Sequence, residues 1–265
     1  MEGGARRGGP AAANGLSAGQ QVLTAAYDTI GIDYARLRHP DPRIAALIDA
    51  HLGDARTVLN VGAGAGSYEP AGRLVTALEP SIEMIRQRTA PAHAVVQGVA
   101  EDLPFADQSF DAVMAVLTVH HWQDKPRGLR ELRRVSRGPV VILTFDVAHG
   151  LFWLADYLPE LIDLDERIMP PMALYGEALG PVRIMPVPVP HDCRDGFLAA
   201  YWRRPAAYLD PQVRQAISSF HAIGDCRAAL ARLEADLASG AWAAGHGDLL
   251  AREDLDCGYR LVVAG

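Results

Sequence analysis

The chain has 265 residues, of which 49% are hydrophobic, and a formal net charge of -7. This length is enough for one large α/β domain, and the acidic balance argues against nucleic-acid or anionic-membrane partners, because both are bound through clustered Lys and Arg. Cys193, Cys226 and Cys257 are odd in number and lack CxxC spacing, which indicates neither a disulfide framework nor a zinc site and favours a cytoplasmic location.

The N-terminal region predicts a disordered tail followed by helices. Residues 1–20 are rich in Gly and Ala and contain no apolar core of the kind that signal peptides have. Residues 21–52 carry apolar side chains at helical spacing, interrupted by Gly31, Pro40 and Pro42, which predicts two helices and a connecting loop. No apolar run approaches the roughly 20 residues that a bilayer span needs, so no membrane partner is expected.

Five short apolar runs rich in Val and Leu follow these helices. They are Val58–Val61, Leu74–Leu78, Ala94–Val96, Ala112–Val119 and Val140–Thr144. Continuous apolar runs of this length are typical of parallel strands that crossover helices bury on both faces. The first half of the chain therefore predicts a doubly wound α/β sheet.

The second half predicts two further strands at the edge of the sheet, together with helical insertions. The alternating run Val182–Val189 contains two prolines, which is typical of an edge strand, and Tyr259–Val263 predicts the last strand. Helical spacing is found over Leu151–Leu164, Leu174–Leu179, 196–202 and 212–237. The expected architecture is one domain over 21–265, with a mostly parallel seven-stranded sheet and helical insertions over 147–180 and 190–250.

A glycine-rich turn, VLNVGAGAG, begins at Val58. Glycine lets the backbone approach a ligand closely, although a tight turn that binds nothing has the same pattern. Glu79, at the tip of the second strand, is placed to accept both hydroxyls of an adenosine ribose. The GxGxG spacing differs from the GxGxxG of nicotinamide enzymes, and the loop Gly98–Phe105 could offer backbone groups and a carboxylate to an adenine amino group.

With these features the chain resembles the class I S-adenosylmethionine (SAM)-dependent methyltransferases, specifically the group that includes the ubiquinone and menaquinone biosynthesis enzymes. The matching stretches are VLNVGAGAG, the LEPS run with Met84 behind it, GVAEDLPFADQSFDAV, the HHW that begins at His120, and LRELRRV. They follow the family's order over about residues 57–146, and the set is more specific than its parts. The resemblance implies a Rossmann-like methyltransferase fold, with SAM as the cofactor.

The resemblance also implies the residues of the cofactor site. These are Tyr34, Asn60, Gly62, Gly64, Glu79, Pro80, Met84, Ala100, Glu101, Leu117 and His121. The two glycines would lie under the methionine part of SAM, and Glu79 would bind its ribose. Tyr34 would close the site as part of a lid formed by the helices over 21–52. Asn60 departs from the acidic residue of many family members, but its amide carbonyl can still accept a hydrogen bond.

Three residues are candidates for a general base, in the order His121, His120 and Asp146. The adjacent histidines also suggest a metal site, but at a strand end successive side chains point to opposite faces, so no shared metal is expected. Both can equally be structural. Asp146 follows the fifth strand, where it faces the ligand crevice of such a sheet or caps the next helix.

The expected function is transfer of the methyl group of SAM to an O, N or C nucleophile of a small metabolite, and secondary metabolism is one pathway class in which this occurs. The expected oligomeric state is a monomer or homodimer. A carboxylate acceptor needs no base, whereas a phenol, an amine or an activated carbon does. RNA or protein methylation and a non-catalytic SAM-binding module stay open as alternatives. A nicotinamide dehydrogenase is the weakest alternative, because its glycine spacing is absent.

Overall fold

The computed structural model describes residues 38–88, 94–150 and 152–265. The predicted tail over 1–20, the first of the two predicted N-terminal helices and Tyr34 lie outside these residues. The predicted division of the chain into tail, lid and catalytic domain therefore stays a prediction.

In the described residues the strands are β1 (Thr57–Val61), β2 (Leu74–Glu79), β3 (Ala94–Gln97), β4 (Ala112–Val116), β5 (Val140–Phe145), β6 (Val182–Pro186), β7 (Val189–Pro190), β8 (Asp254–Leu255) and β9 (Tyr259–Ala264). Seven form one sheet in the order β3-β2-β1-β4-β5-β9-β6, and β7 pairs with β8. Strands β1 to β5 are parallel, and β9 is antiparallel to both β5 and β6. The predicted doubly wound, mostly parallel seven-stranded sheet is confirmed, except that β9 lies inside the sheet and not at its edge.

The helices are α1 (Pro42–His51), α2 (Ile82–Arg86), α3 (Lys125–Val135), α4 (Leu154–Tyr157), α5 (Glu160–Ile168), α6 (Ala173–Leu179), α7 (Pro211–Gln215), α8 (Ser218–Ala222), α9 (Arg227–Ser239) and α10 (Ala241–His246). They cover both faces of the sheet. Val113 and Ile142 belong to the same core cluster as Leu129 of α3, whereas the next residue along β4, Met114, clusters with Ile48 of α1. In the parts of the chain that are described, every helix is too short or too polar to cross a membrane.

Prolines and glycines divide several of the predicted elements. The helix predicted over Leu151–Leu164 is interrupted at Pro159, so α4 and α5 are separate. The strand predicted over Val182–Val189 ends at Pro186, because proline has no N–H to donate to a neighbouring strand. The helix predicted over 212–237 consists of three helices, with a left-handed glycine between α8 and α9.

Candidate functional site

A cleft of about 1150 Å³ that opens to solvent lies at the carboxyl ends of β1, β2 and β4. Ten of the eleven residues that the resemblance assigns to the cofactor site line it, and the eleventh, Tyr34, lies outside the described residues. The ten are Asn60, Gly62, Gly64, Glu79, Pro80, Met84, Ala100, Glu101, Leu117 and His121. The structure brings them together because the loops that follow adjacent parallel strands meet at one edge of the sheet.

The turn after β1 has glycine where a side chain cannot fit. Gly62 has φ +67, and a Cβ at this position would collide with Oγ1 of Thr118 in the loop after β4. The N–H groups of Gly62 and Ala63 donate to the carbonyl of Leu78 at 2.9 and 3.0 Å, which ties the turn to β2. The turn therefore packs closely against neighbouring loops and leaves its backbone accessible to a ligand in the cleft.

Glu79 is a buried carboxylate that the backbone holds at both oxygens. Its Oε2 accepts from the Gly64 N–H at 2.8 Å and its Oε1 from the Ser81 N–H at 2.9 Å. Burial raises the pKa of this carboxyl group, and the two backbone hydrogen bonds oppose that shift. Each carboxylate oxygen can accept a further hydrogen bond, so Glu79 presents two fixed acceptors to the cleft.

Asn60 is joined to a buried ion pair. Its Nδ2 donates to Oε1 of Glu69 at 3.1 Å, and Nη2 of Arg88 donates to the two oxygens of Glu69 at 2.7 and 2.6 Å. The Arg88 and Glu69 side chains are only 4% and 8% exposed. Because a carboxylate can only accept, it holds the Asn60 amide with its NH₂ group towards Glu69 and its carbonyl oxygen on the other side.

Glu101 connects the loop after β3 to the start of α3. Its Oε1 accepts from the backbone N–H groups of Gln123 at 2.7 Å and Asp124 at 3.2 Å. Asp124 in turn caps α3 by accepting from the Arg127 N–H at 2.9 Å. Glu101 therefore positions this wall of the cleft, and the neighbouring Ala100 is buried.

The histidine pair lies on a short 3₁₀ turn, Val119–His121, after β4. The strand predicted over Ala112–Val119 was too long, so the two side chains do not point to opposite faces of a strand, and their ring centroids lie 3.8 Å apart. The described residues contain no group of three metal-ligating side chains. Burial lowers the pKa of His121 to about 4 and that of His120 well below its usual range, so both rings are neutral at pH 7.

Asp146 has a capping role. Its Oδ1 accepts from the Ala148 N–H at 3.1 Å, and its Oδ2 lies 2.7 Å from Nδ1 of His149 and 3.9 Å from Nε of Arg260. It lines neither the cleft nor the second cavity described below. These contacts match the capping alternative of the sequence analysis, and the role of Asp146 as a base stays a prediction.

A second cavity of about 560 Å³ adjoins the cleft, next to α5 and α8. Arg38, Leu117 and His121 line both spaces, so these side chains form the boundary between them. The other lining residues are His120, Phe145, Asp165, Met169, Phe197, Leu198, Ile217, Ser218, Ser219 and Tyr259. Arg38, His120, His121, Asp165, Ser218 and Ser219 are polar, and the other side chains are aliphatic or aromatic.

Arg38 is fixed at this boundary by Asp195. Its Nε donates to Oδ1 at 2.6 Å and its Nη2 to Oδ2 at 3.3 Å, and the Tyr68 hydroxyl donates to the same carboxylate at 2.8 Å. Tyr68 and Leu117, which both line the cleft, have left-handed backbone conformations, with φ 64 and 51. Such strained residues cluster at functional sites.

Most of the aromatic residues after β5 belong to the core. Trp153 and Trp202 are 4% and 0% exposed, and each ring N–H donates to a backbone carbonyl. Phe197, by contrast, lines the second cavity. The helical spacing of the aromatic residues after β5 therefore indicates mainly that they pack in the core, as such spacing does in most helices.

Sequence reasoning missed four charged residues near the site, namely Glu69, Arg88, Asp165 and Asp195. One of them left a local signal. Asp165 lies on the buried stripe of α5 with Leu161 and Leu164, where a helix that packs on a core carries apolar residues. The pair of Arg38 and Asp195, by contrast, joins positions 157 residues apart, which no local pattern reveals.

Comparison with known proteins identifies methyltransferases. The family described as "Methyltransferase domain" matches residues 59–142, which include the glycine turn and most of β1 to β5. A solved structure from Anabaena variabilis, of a protein proposed to be a methyltransferase from an antibiotic biosynthesis pathway, is 35% identical with a TM-score of 0.78. The match covers 86% of this chain and 99% of that chain, so it extends well beyond the sheet.

Curated relatives match a smaller part of this chain than the solved structure does. Demethylmenaquinone methyltransferase of Thermobifida fusca is 35% identical over 134 residues, which are 45% of this chain and 56% of the relative. Malonyl-(acyl-carrier protein) O-methyltransferase of Pectobacterium atrosepticum is 38% identical over 115 residues, which are 41% of this chain and 44% of the relative. The chain thus spans about half the length of these two relatives.

Proposed function

This chain belongs to the class I SAM-dependent methyltransferases, and we propose that it transfers the methyl group of SAM to a small molecule held in the second cavity. The observation that carries the proposal is the pair of adjoining spaces. One contains the glycine turn and Glu79, and the other shares Arg38, Leu117 and His121 with it. Two reactants that must meet in line need such neighbouring sites.

The residues of the cleft fit SAM. We expect the two buried oxygens of Glu79 to accept the ribose hydroxyls, because both oxygens are already oriented by backbone N–H groups. The carbonyl oxygen of Asn60 is expected to accept a hydrogen bond from the ammonium group of SAM, since the Asn60 NH₂ group is held by Glu69. Met84, which is 3% exposed, is expected to pack on the adenine.

When bound, SAM supplies a methyl group on a positively charged sulfur, so the leaving group is neutral and needs no general acid. The protein has to exclude water and to orient the acceptor. Leu117 and His121 stand between the two spaces and are expected to surround the point of transfer. His121 is neutral at pH 7, so it adds no positive charge beside the sulfonium.

The acceptor is proposed to be a small molecule because the second cavity is a concave pocket with aromatic and aliphatic walls and a few polar groups, which is typical of metabolite sites. The net charge of -7 does not favour RNA. One relative is named for demethylmenaquinone, a small acceptor. A cytoplasmic location and a monomeric or homodimeric state remain proposals from the sequence.

Calorimetric titration with SAM tests the cofactor site. Glu79→Gln replaces one acceptor oxygen by a donor and is expected to weaken SAM binding by about 10- to 100-fold, since a hydrogen bond to a charged group contributes roughly 1.5–3 kcal/mol. The control is Glu83→Gln on α2, whose side chain is 30% exposed and lies 3.9 Å from Arg86. Binding of NAD without binding of SAM would contradict the proposal, and melting curves establish that each variant folds.

A further inference from the structure

The second cavity contains a carboxylate on the side of a helix that otherwise packs into the core. Asp165 of α5 is buried together with Leu161 and Leu164 and is 9% exposed. Within the described parts of the chain, no hydrogen-bond donor or cation is paired with its carboxylate. Burial of an unpaired carboxylate is costly, and such groups in clefts are found where a ligand interacts with them.

Asp165 supplies the net charge of the cavity, because the other ionisable groups that line it are paired or neutral. Arg38 is engaged by Asp195, with a shortest distance of 2.6 Å. His120 and His121 are neutral at pH 7, because burial lowers the pKa of both rings. Burial also raises the pKa of Asp165 to about 6, so at neutral pH this side chain is an anion in a space lined by both apolar and neutral polar side chains.

The remaining surface suits a ring. The Tyr259 ring lies 5.4 Å from that of Phe145 and 4.6 Å from that of Phe197, measured between centroids, and all three line the cavity. Met169 and Ile217 add aliphatic surface. A ligand here can therefore pack a ring against the aromatic and aliphatic side chains and make polar contacts to the carboxylate and to Ser218 and Ser219.

We infer that Asp165 accepts the proton of the acceptor's nucleophile, and that the acceptor is an amine or a hydroxyl compound on an apolar, ring-sized frame and not a carboxylate. This inference rests on the proposed function and names its substrate class. The acceptor's N or O lone pair forms the bond to the methyl carbon while the carbon–sulfur bond breaks and its electron pair stays on sulfur. The proton that leaves the acceptor goes to the Asp165 carboxylate.

Two comparisons support this assignment over the alternatives. His121 was the first candidate for a base, but a base whose conjugate acid has a pKa of about 4 is weaker than one with a pKa of about 6. A carboxylate acceptor, which needs no base, would bring a second anion into the cavity that already holds the buried Asp165 carboxylate. Like charges in such a space repel strongly.

Three aryl probes of matched size test the inference, namely 2-phenylethylamine, 4-ethylphenol and 3-phenylpropionate. Their binding is measured by calorimetry at pH 8, with the protein saturated with S-adenosylhomocysteine. We expect the amine or the phenol to bind at least about tenfold more tightly than the carboxylate. Asp165→Asn is expected to remove this preference, Asp165→Glu to retain it, and Asp163→Asn, an exposed position on the same helix, to leave it unchanged.

Three results would overturn the inference. They are equal or tighter binding of the carboxylate to the wild-type protein, an unchanged preference in Asp165→Asn, and no binding of any probe while S-adenosylhomocysteine binds. The wild-type comparison decides the matter even if a variant does not fold. Failure of S-adenosylhomocysteine itself to bind would be a different result, because it would refute the proposed function.

Discussion

Replacement of Asp165 by Asn is expected to stabilise the protein at pH 8 and to change its stability little near pH 4.5. Burial raises the pKa of this group from 3.8 to about 6 in the folded state. Below pH 4 the carboxyl group is protonated in both the folded and the unfolded state. As the pH rises from about 4 to about 6, the unfolded state gives up its proton more readily than the folded state, so stability is lost until the folded state also carries the desolvated charge. A shift of about 2 units corresponds to roughly 3 kcal/mol.

The gain in the free energy of unfolding is expected to be about 1–3 kcal/mol, because the Asn amide is also desolvated. Urea denaturation followed by tryptophan fluorescence at both pH values measures it, with Asp163→Asn as the exposed control. The other titratable groups that line the cavity are Arg38, His120, His121 and Tyr259. They are present in both proteins and cancel in the comparison. A larger loss of stability at pH 8 than at pH 4.5 would refute the reasoning, because that is the behaviour of a carboxylate in an ion pair.

Further variants test other parts of the site. Gly62→Ala is expected to cost more than about 1 kcal/mol in urea denaturation and to weaken SAM binding, whereas Gly53→Ala, at φ +59 with open space around it, should cost only the backbone strain and leave binding intact. Glu69→Ala leaves the Arg88 guanidinium buried without its carboxylate and should destabilise the fold by about 3–5 kcal/mol. The double variant Glu69→Ala/Arg88→Met should recover most of this stability, and no recovery would contradict the ion-pair argument. His121→Ala should weaken SAM binding but keep turnover at saturating SAM within about tenfold, and a larger loss of turnover would return His121 to the role of base.

The sheet could be predicted from the sequence because both of its faces are covered. Val58 to Val61 and Val140 to Thr144 are continuous apolar runs, and the structure buries every residue of them. The last strand was misplaced, because an antiparallel strand inserted between β5 and β6 has the same pattern as an edge strand. Pro159 separates α4 from α5, and Pro186 ends β6. Hydrophobic periodicity alone does not show these interruptions.

The cofactor cleft could be predicted because most of its residues lie at the carboxyl ends of β1, β2, β3 and β4 or in the loops that follow them. Gly62 directly follows β1, and Glu79 is the last residue of β2. The acceptor side could not be predicted in the same way. Asp165 and Phe197 reach the second cavity from insertions, and their neighbourhood is set by packing between segments distant in sequence. The local patterns of a single sequence carry no information about such long-range packing.

The passage of a methyl group from SAM to a small molecule can be followed with an isotope label. The protein is incubated with SAM carrying ¹³C in the methyl group and with a cell extract that has been separated by ultrafiltration into small molecules and macromolecules. Mass spectrometry then locates the ¹³C-methyl group. We expect a labelled product in the small-molecule fraction, formed with the wild-type protein and lost with Glu79→Gln at limiting SAM. Label found in RNA or protein alone, or no transfer at all by a protein that binds SAM, would contradict it.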